Sequence, residues 1–574
     1  MGIHKKNLDL TAKNSNGIAS YSLYWVLSLL DYYQYSGKKA ELIKFIPNVQ
    51  AKLSLAAAMF SKPNIGFYGW DDRLGGGFED ADCHEAREAY RMLFIETCRR
   101  FAHAMKTIHR SRLQKKYNQM ALKYIARIES QPDWISHVGI FAASDAINGG
   151  VPDIAQSRYL YRHVFSNPVA RISFSPFNEY FIIRAMGKLN WTDQALQTVL
   201  EDWGGQIRYG GTTFFECYWP SWNAVISKNG PIPSCQAGPT SLCHPWSSGC
   251  TTWLTQYVAG VRPTGPGFAT VDIAPHMGRL LTSVSATAPT PHGAIYASFN
   301  VISGRANVNI PAGVVARIAI PKAHRVVTSI SVNGKLAWCG RFCSVKGIAA
   351  ASNGRRRIYF VGVRPGRYTF TISYAGHPRK YIPRALVYPV KVVGQDVSTS
   401  GNWGGVFGKH GYVLFDYDGV GKSKEHLPSY VQSVTCKFEY NTQWPAHEDD
   451  PRALAPNPYN KGQRVAGTVH SGSTSWAGTM VINIKLKHPR NFQLAIYAVD
   501  FDRKARREAV EVHDLPSLIL AAPVQVISHF QNGKYLVFDC HGSVRLRVDG
   551  IRGPNGIVSG LFFDRPGEWS AVPK

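Results

Sequence analysis

Apolar residues recur at three- and four-residue spacing through the chain up to about residue 258. The run from Ser20 to Tyr33 shows this pattern and stops before Gly37. Such spacing places the apolar side chains on one face of an α-helix. The same pattern predicts further helices at about 40–60, 84–107, 110–129, 153–166, 176–188 and 192–203, with another after Ser247. Because no fixed period of roughly 34–47 residues repeats, as it does in helical solenoids, the pattern favours a closed ring of helical hairpins.

Short β-type runs replace the helical pattern after the Gly/Pro-rich stretch 260–267. Val332-Asn-Gly334 is a strong hairpin signal, because Asn-Gly fits the tight turns that join antiparallel strands. The spacing of the runs predicts a small antiparallel β-sandwich of about 120 residues. Its strands are expected near 294–299, 306–310, 315–320, 357–360 and 367–374.

The last third of the chain is β-rich again, and its polar stretch 441–464 is predicted to be a long loop. Strands are expected near 412–417, 431–440, 479–486, 492–500, 536–539 and 544–548. That spacing suits a second antiparallel β-sandwich of jelly-roll type. The sequence therefore predicts a multidomain α plus β protein with a helical domain over 1–258, a β-sandwich over 259–385 and an accessory sandwich over 386–574.

The composition is that of a folded protein with a basic surface. Of the 574 residues, 45% are hydrophobic and 18% are charged, which excludes a mainly disordered chain. No stretch of about 18 apolar residues occurs, so no membrane span is expected. The formal net charge of +27 raises the expectation of an anionic partner such as nucleic acid, a membrane surface or an acidic polysaccharide. Because the basic residues form short, scattered clusters, solvated basic faces are favoured and no nucleic-acid partner is expected.

The ten cysteines are too few for a disulfide scaffold. Four of them, Cys217, Cys235, Cys243 and Cys250, lie in one stretch, but no C-x2-C pair occurs and His244 is the adjacent histidine. A loop disulfide or free buried thiols are therefore favoured over a zinc site, and no metal or cofactor is predicted. No apolar run follows the charges of the first six residues, so no signal peptide is visible, and the compartment and oligomeric state stay open.

Glu216 is the first candidate for chemistry. It stands in Gly210-Gly-Thr-Thr-Phe-Phe-Glu-Cys-Tyr-Trp-Pro220 as a lone carboxylate among aromatic and threonine residues. Burial of a carboxylate is costly unless it accepts hydrogen bonds. Aromatic walls that desolvate the group and hydroxyls that donate to it suit a general base that activates water. The alternative, a glutamate that caps a nearby helix, accounts for the pattern equally well.

The Gly-rich segment 66–85 between two predicted helices is the second candidate. Glycines let the backbone approach a ligand, carboxylates accept hydrogen bonds from hydroxyls, and a tryptophan face stacks on a sugar ring. Capping of the helix that follows would account for the last aspartate and the last glutamate, but not for the other four acids. The segment holds Trp70 together with Asp71, Asp72, Glu79, Asp80, Asp82 and Glu85.

His244 and Trp246 form the third candidate, in Ser241-Leu-Cys-His-Pro-Trp-Ser-Ser-Gly249. They precede a predicted helix that the serines would open. A single histidine is more often structural than functional, but its nearness in sequence to Glu216 favours a shared site.

At this point the motifs, in their order and approximate spacing over about 1–375, resemble the bacterial-type α-L-rhamnosidases of glycoside hydrolase family 78. The resemblance implies an (α/α)6 six-hairpin toroid followed by a β-sandwich, and inverting hydrolysis of terminal α-L-rhamnosides in a rhamnose-containing glycoside or polysaccharide. The motifs are Gly211-Thr-Thr-Phe-Phe-Glu216, Ser241–Gly249, Val261-Arg-Pro-Thr-Gly-Pro-Gly-Phe268, Ile273-Ala-Pro-His276 and Pro289-Thr-Pro-His-Gly293.

The resemblance also assigns roles to residues. The glutamate of the Thr-Thr-aromatic-aromatic-Glu motif is the family's general base, which carries over to Glu216. The histidine of the Cys-His-Pro-Trp motif contacts the sugar, which carries over to His244, and the Trp of a Gly-Trp-Asp loop carries over to Trp70. Further expected substrate contacts are Asp71, Asp72, Trp203, Tyr218 and Trp246. The accessory region 386–574 resembles a sandwich found in some relatives and receives no function from them.

One departure from the family concerns the general acid, which in relatives lies upstream of the stretch that resembles Tyr21–Tyr33. Residues 1–20 contain one acidic residue, Asp9, and the helix count of about ten is below the twelve that six hairpins need. The sequence is therefore expected to be truncated at its N-terminus. If it is complete, Asp71, Asp72 or Glu79 would have to supply the acid. The alternatives are a carbohydrate-binding protein that has lost the acid, and polyanion binding driven by the net charge.

Overall fold

The computed structural model of the chain describes residues 19–61, 84–235, 238–447, 449–475 and 478–571. The first part is helical, and α6 and α11 each continue into a π-helical turn, Tyr161–Phe165 and Leu254–Val258. The helices are α1 Ala19–Ser36, α2 Lys39–Met59, α3 His84–Thr107, α4 Ser111–Glu129, α5 Ile140–Gly149, α6 Ile154–Leu160, α7 Pro176–Lys188, α8 Thr192–Glu201, α9 Trp203–Tyr209, α10 Trp222–Val225 and α11 Gly249–Trp253.

Five of these helices form a continuous row. In the row, α1 packs on α3, α3 on α5, α5 on α7 and α7 on α11. Three more helices pack against members of the row, α2 on α1, α4 on α3 and α8 on α7. The apolar faces meet in one core that includes Leu23, Phe94, Ile182 and Trp253, all fully buried.

The sequence pattern predicts most of these helices and misses α5, α9 and the four-residue α10. Helices α3 and α7 span the predicted residues, because in each the buried apolar residues recur at three- and four-residue spacing over three or more turns. In α5, nine of ten residues are buried, including the polar Ser144, Asp145 and Asn148, so its polar positions do not mark a solvent-exposed face. Helix α9 has seven residues, two of them glycines, which is too short for a pattern to show.

The strands that follow form two sheets around a shared core. The sheet orders are β1-β2-β6-β10-β9 and β3-β4-β5-β11-β7-β8. Phe360 and Phe370, from different sheets, meet in the core with ring centroids 5.4 Å apart. The strands are β1 Val261–Pro263, β2 Thr270–Ile273, β3 Ser283–Ala288, β4 Ile295–Asn300, β5 Arg305–Ile310, β6 Val315–Pro321, β7 Val326–Val332, β8 Lys335–Trp338, β9 Ala350–Asn353, β10 Arg357–Val363 and β11 Gly366–Ala375.

Two details of this region test the sequence pattern. The predicted hairpin at 332–334 is confirmed, since Val332 pairs with Lys335 and the turn residues Asn333 and Gly334 have φ values of 49° and 81°. Two positive φ values in succession are the geometry for which Asn-Gly is selected. The expectation of a wholly antiparallel sandwich is wrong at one pairing, because β2 and β6 are parallel. The chain builds β3–β5 in the other sheet before it returns, which gives the long connection that a parallel pair requires.

The C-terminal part contains three sheets. Their orders are β12-β22-β19-β25-β13-β14, β15-β18-β23-β20-β21 and β16-β17-β24. The two larger sheets share a core, to which they contribute Leu494 and Leu546 respectively. The strands are β12 Lys391–Asp396, β13 Gly411–Leu414, β14 Lys424–His426, β15 Val431–Lys437, β16 Tyr440–Trp444, β17 Ala466–His470, β18 Thr479–Leu486, β19 Asn491–Ala498, β20 Arg507–Asp514, β21 Gln525–Ser528, β22 Lys534–His541, β23 Val544–Arg552, β24 Ile557–Val558 and β25 Gly560–Asp564.

The predicted loop over 441–464 is wrong at its start, where β16 pairs with β17. In β16 three successive polar residues lie between Tyr440 and Trp444, and all five residues are exposed or half-buried. A strand without a buried face gives no period-two signal of hydrophobicity.

A separate core joins the helical part to the C-terminal sheets. On one side it contains Phe174, Phe215 and Trp222, and on the other Leu520 and Ile551, all buried. The segment that follows α9, which carries Glu216, is therefore packed against strands far away in sequence. We call this group of residues the junction core.

Candidate functional site

Glu216 lies in the irregular segment between α9 and α10. Helix α9 ends at Gly210, whose φ of 115° lies in the region that favours glycine. A Cβ there would lie 1.8 Å from the Asn229 side-chain oxygen, so the turn has no room for one. Beyond it, the Phe215 N–H donates to the Gln206 side chain at 3.0 Å and the Tyr218 N–H donates to the Phe174 carbonyl at 2.9 Å. These bonds fix the backbone on both sides of Glu216.

A second segment, 241–244, lies alongside the first. The Glu216 N–H donates to the Ser241 carbonyl, and the His244 N–H donates to the Phe214 carbonyl, both at 2.8 Å. The Thr213 hydroxyl also donates to the Leu242 carbonyl. The two motifs singled out in the sequence are thus held side by side by backbone hydrogen bonds.

The Glu216 carboxylate is partly exposed, at 21% of its side-chain surface. Its Oε2 accepts the Ser241 N–H at 2.9 Å and lies 3.9 Å from His244 Nδ1. Within the described part of the chain Oε1 accepts no hydrogen bond, which leaves it open to a ligand or to water. The contact bridges two irregular segments, so Glu216 does not act as the helix cap considered above.

Partly exposed aromatic side chains extend from His244 away from Glu216. The His244 and Trp246 rings have centroids 4.4 Å apart, and Trp246 stacks on Phe177 at 5.2 Å with an interplanar angle of 27°. Phe177 contacts Tyr24 at 5.3 Å, and Tyr24 lies 6.3 Å from Tyr21. We call these five side chains the aromatic strip. Flat, partly exposed aromatic faces are surfaces on which sugar rings can stack.

The aromatic strip crosses the N-terminal ends of the helix row. Tyr21 and Tyr24 lie in the first turns of α1, Phe177 in the first turn of α7, and Trp246 just before α11. Sequence reasoning missed Tyr21, Tyr24 and Phe177. In the sequence they are ordinary apolar members of amphipathic helices, and the contact that gives them a role is made across the fold.

Two buried carboxyl groups lie beneath this surface. Glu179 Oε2 accepts the Ser173 N–H at 2.6 Å, and Asp202 Oδ1 accepts the Gln206 side-chain amide at 3.0 Å. Burial raises the pKa of Asp202 to about 8, and the hydrogen bond from Gln206 offsets part of that rise. Burial, and then the charge of Asp202, raise the pKa of Glu179 well above its usual range. Because Gln206 also accepts the Phe215 N–H, Asp202 supports the backbone next to Glu216.

Comparison with known proteins finds similarity to α-L-rhamnosidases. Residues 260–335 match the family model of the bacterial α-L-rhamnosidase C-terminal domain. Over 175 residues the chain is 27% identical to an α-L-rhamnosidase of Formosa agariphila, which covers 30% of this chain and 17% of that protein. Over 135 residues it is 27% identical to an α-L-rhamnosidase of an Alteromonas species, with coverage of 23% and 14%.

This chain is similar to the α-L-rhamnosidases of glycoside hydrolase family 78. Its fold is similar to the solved α-L-rhamnosidase of Dictyoglumus thermophilum, with a TM-score of 0.50 at 15% identity over 62% of this chain and 40% of that one. A Streptomyces avermitilis α-L-rhamnosidase solved with L-rhamnose gives a TM-score of 0.47 at 17% identity, covering 62% and 34%. The match thus spans 17% and 14% of the lengths of the two curated relatives.

The remaining predicted site residues fall into two groups. Trp203 is 5% exposed and its Nε1–H donates to the Ser247 carbonyl at 2.8 Å. Tyr218 is fully buried against Gly205, where a Cβ would lie 2.4 Å from the Tyr218 hydroxyl. Both rings face the interior and support the segments that carry Trp246 and Glu216. The second group, Trp70, Asp71, Asp72 and Glu79, lies outside the described residues.

Glu85, at the end of the acidic segment, has a role that the sequence assigned to the wrong helix. Its carboxylate accepts the N–H groups of Gly139, Phe141 and Ala142 at 2.7, 2.9 and 2.9 Å. It therefore caps the N-terminus of α5 and not that of its own helix, α3. The spacing of Glu85 before α3 suggested a local cap, whereas the partner helix begins more than fifty residues later.

The structure gives three further results for the residues it describes. No disulfide joins the nine described cysteines, and Cys217, Cys235 and Cys250 are buried while Cys243 is exposed. The described residues contain no cluster of histidine, cysteine, aspartate and glutamate that could hold a metal ion. No helix in the described ranges is long and apolar enough to cross a membrane.

Proposed function

We propose that this chain is a glycoside hydrolase that cleaves terminal α-L-rhamnosides with inversion, with Glu216 as the general base. The observation that carries the proposal is the Glu216 carboxylate itself. One oxygen is held by the Ser241 N–H, the other is open, and the side chain is partly exposed beside the aromatic strip. A rhamnose-containing glycoside or polysaccharide is the proposed ligand.

The proposed chemistry follows from this geometry. A sugar stacked on Trp246 and Phe177 would present its anomeric carbon toward Glu216, with His244 beside the carboxylate as a hydroxyl contact. Water bound to the open oxygen of Glu216 loses its proton to the carboxylate as it attacks. An inverting enzyme needs a second carboxyl group about 6.5–9.5 Å away to protonate the leaving oxygen. Asp71, Asp72 and Glu79 are the candidates that this sequence offers, together with any acid encoded upstream.

We further propose that the helical part belongs to an (α/α)6 toroid, with domains over 1–258, 259–385 and 386–574. The row α1-α3-α5-α7-α11 supports this, since alternate helices of such a toroid form its inner ring. The two ends of the row are joined by a hydrogen bond from the Gln256 side chain to the Tyr35 hydroxyl. In this arrangement the aromatic strip lies across one mouth of the ring.

Hydrolysis of an aryl α-L-rhamnoside by the wild type and by Glu216→Gln tests the proposal. We expect measurable turnover by the wild type and a loss of about 10²–10⁴-fold in the variant, because the base is removed while its shape is kept. Glu201→Gln, on the surface of α8, is the matched control and should retain wild-type activity. NMR of the first product should show the inverted anomer. Equal turnover by wild type and Glu216→Gln would overturn the assignment.

A non-catalytic carbohydrate-binding protein is the second candidate. The observation in its favour is that the described site contributes a single carboxylate to the aromatic strip, whereas inversion needs two. Calorimetric titration with L-rhamnose distinguishes the two. Negligible turnover by wild type and Glu216→Gln alike, with rhamnose binding retained in both, would support the binding protein.

A further inference from the structure

A cavity of about 790 Å³ lies at the edge of the C-terminal sheets, away from the aromatic strip. One wall is the segment Val225–Ser227, which follows the junction core. The other walls come from the loop before β20, from β21 and from the end of β23. Polar side chains dominate the lining, including Arg503, Arg507, Arg552, Gln525, Gln531 and His529.

The charge of this cavity is unbalanced. Four arginines line it against one aspartate, Asp500. Asp500 is engaged by a buried arginine, since Arg506 Nη1 donates to its Oδ1 at 2.6 Å, and Arg506 also pairs with Asp502. Among the described residues, no carboxylate lies within ion-pairing distance of Arg503, Arg507 or Arg552. Three guanidinium groups are therefore left without a counter-ion from the described chain.

The sheet pairs two of these arginines at opposite positions on neighbouring strands. Arg507 on β20 pairs directly with Arg552 on β23, and a register shift between Arg507 and Glu508 sets this alignment. Like charges directly opposite each other on neighbouring strands destabilise a sheet. Arg507 also donates to the Val225 carbonyl at 3.3 Å, which ties it to the far wall. An anion between the two arginines would turn this repulsion into attraction.

We propose that this cavity binds an oxyanion group on an acidic sugar chain, either the carboxylate of a uronic acid or a sulfate ester. Planar guanidinium groups donate paired hydrogen bonds to such groups. The amides of Gln525 and Gln531 supply donors and acceptors for neighbouring hydroxyls. The volume falls in the range of about 300–1,000 Å³ that is typical of small-ligand sites, which accommodates a few sugar units.

Nucleic acid fits this cavity less well. Single-stranded nucleic acid is held by aromatic side chains on which bases stack. Neither tryptophan, tyrosine nor phenylalanine is found among the described residues that line the cavity, and His529 contributes its one ring. The lining is that of a site for charged and hydroxylated groups.

The test is calorimetric binding of three oligosaccharide probes of equal length to the full chain: oligogalacturonate, sulfated dextran oligomers and neutral dextran oligomers. We expect at least one acidic probe to bind and the neutral probe not to bind. The probe that binds more tightly identifies the group as carboxylate or sulfate. Binding of neither acidic probe above the neutral one, or tighter binding of a single-stranded DNA oligomer, would overturn the proposal.

Two double variants distinguish binding in the cavity from binding caused by the general positive charge of the protein. In Arg507→Gln/Arg552→Gln the affinity should fall at least about tenfold, because two charge-assisted contacts are lost. The control Arg355→Gln/Arg367→Gln removes the same charge from exposed positions on the first β-sandwich and should change affinity less than about twofold. An equal loss in both variants would assign the binding to net charge and overturn the site.

A further variant tests whether a loss of binding could result from misfolding of the sheet. Arg503 is exposed in a turn, so Arg503→Gln leaves the sheet intact and should also weaken the acidic probe. Since like charges at opposite positions do not stabilise a sheet, we expect the double variant to melt no lower than the wild type. Binding is measured without turnover and with Glu216 unchanged, so the outcome is independent of the proposed hydrolysis.

Discussion

Glu216 and Ser241 exchange two hydrogen bonds. The Glu216 N–H donates to the Ser241 carbonyl at 2.8 Å, and the Ser241 N–H donates to Glu216 Oε2 at 2.9 Å. The second bond uses the backbone of Ser241, so the serine hydroxyl is not part of it. The position of the carboxylate therefore depends directly on the path of the chain at 241, while the Ser241 hydroxyl accepts the Cys243 N–H at 3.3 Å.

This relationship predicts different effects for two substitutions at one position. Ser241→Ala keeps the N–H and should leave kcat for an aryl α-L-rhamnoside within about twofold of wild type. Ser241→Pro removes the donor and should lower kcat by about 10–100-fold with a smaller change in KM, because the carboxylate is no longer fixed. Steady-state kinetics of both variants check the prediction. Equal losses in the two would show that the hydroxyl and not the backbone matters.

The aromatic strip predicts a defect in binding. Trp246→Ala removes the ring between His244 and Phe177, and we expect KM for the rhamnoside to rise about three- to tenfold while kcat changes less. Tyr32→Ala, an exposed ring on α1 outside the strip, is the control and should leave both constants unchanged. A larger fall in kcat than rise in KM would instead place Trp246 among the residues that order the reaction.

Because the pKa of Asp202 is raised in the fold, we expect the stability of the protein to depend on pH. Its pKa is about 8 in the fold against an ordinary value of 3.8, so the folded state retains a proton that the unfolded chain has released between these values. Stability is therefore lost as pH rises from about 4 to 8, because the unfolded chain binds fewer protons there. Asp202→Asn removes this loss. We expect the free energy of unfolding of the variant to exceed that of the wild type by a margin that grows by about 1–3 kcal/mol between pH 5 and pH 8.

Thermal melts of wild type and Asp202→Asn at several pH values measure this gain. Asp133→Asn changes an exposed aspartate and should show no pH-dependent difference from wild type. A difference in melting temperature between Asp202→Asn and wild type that stays constant from pH 5 to pH 8 would show that Asp202 is already ionised in the fold.

The junction core predicts that activity depends on the C-terminal sheets. Leu520 packs against the segment that carries Glu216, whereas Leu494 lies in the separate core of the larger sheets. Replacing either buried leucine with alanine should cost about 2–5 kcal/mol of stability. We expect Leu520→Ala also to lower kcat, measured well below its melting temperature, and Leu494→Ala to leave kcat unchanged. A similar kcat in both variants would separate the junction core from the site.

The sequence predicts best those elements whose signal is local. Helices α3 and α7 repeat apolar residues at helical spacing over three or more turns, and the Asn-Gly turn after Val332 needs positive φ values, so each is visible in a short stretch of sequence. Helix α5 has no such signal because it is buried on almost every side. Strand β16 has none because it buries no apolar face.

The residues of the candidate site also differ in how well the sequence predicts them. Glu216 and His244 stand out in the sequence because a carboxylate and a histidine occur in aromatic, Gly-rich surroundings. Tyr24 and Phe177 lie about 150 residues apart and meet through the packing of α1 and α7 on their neighbours. For Glu85 the sequence predicts a cap of the nearest helix, because it shows distance along the chain but not contacts between helices. The helix that Glu85 caps is determined by the packing of α3 on α5.

The junction core also affects how the molecule is made. Phe215 and Trp222 rest on Leu520 and Ile551, which emerge from the ribosome some three hundred residues later. The segment that carries Glu216 can reach its final packing only after the strands up to Ile551 have been synthesised. Until then the nascent chain would carry the Glu216 motif without the contacts that hold it in place, so any activity that depends on Glu216 would begin only after the C-terminal sheets have folded.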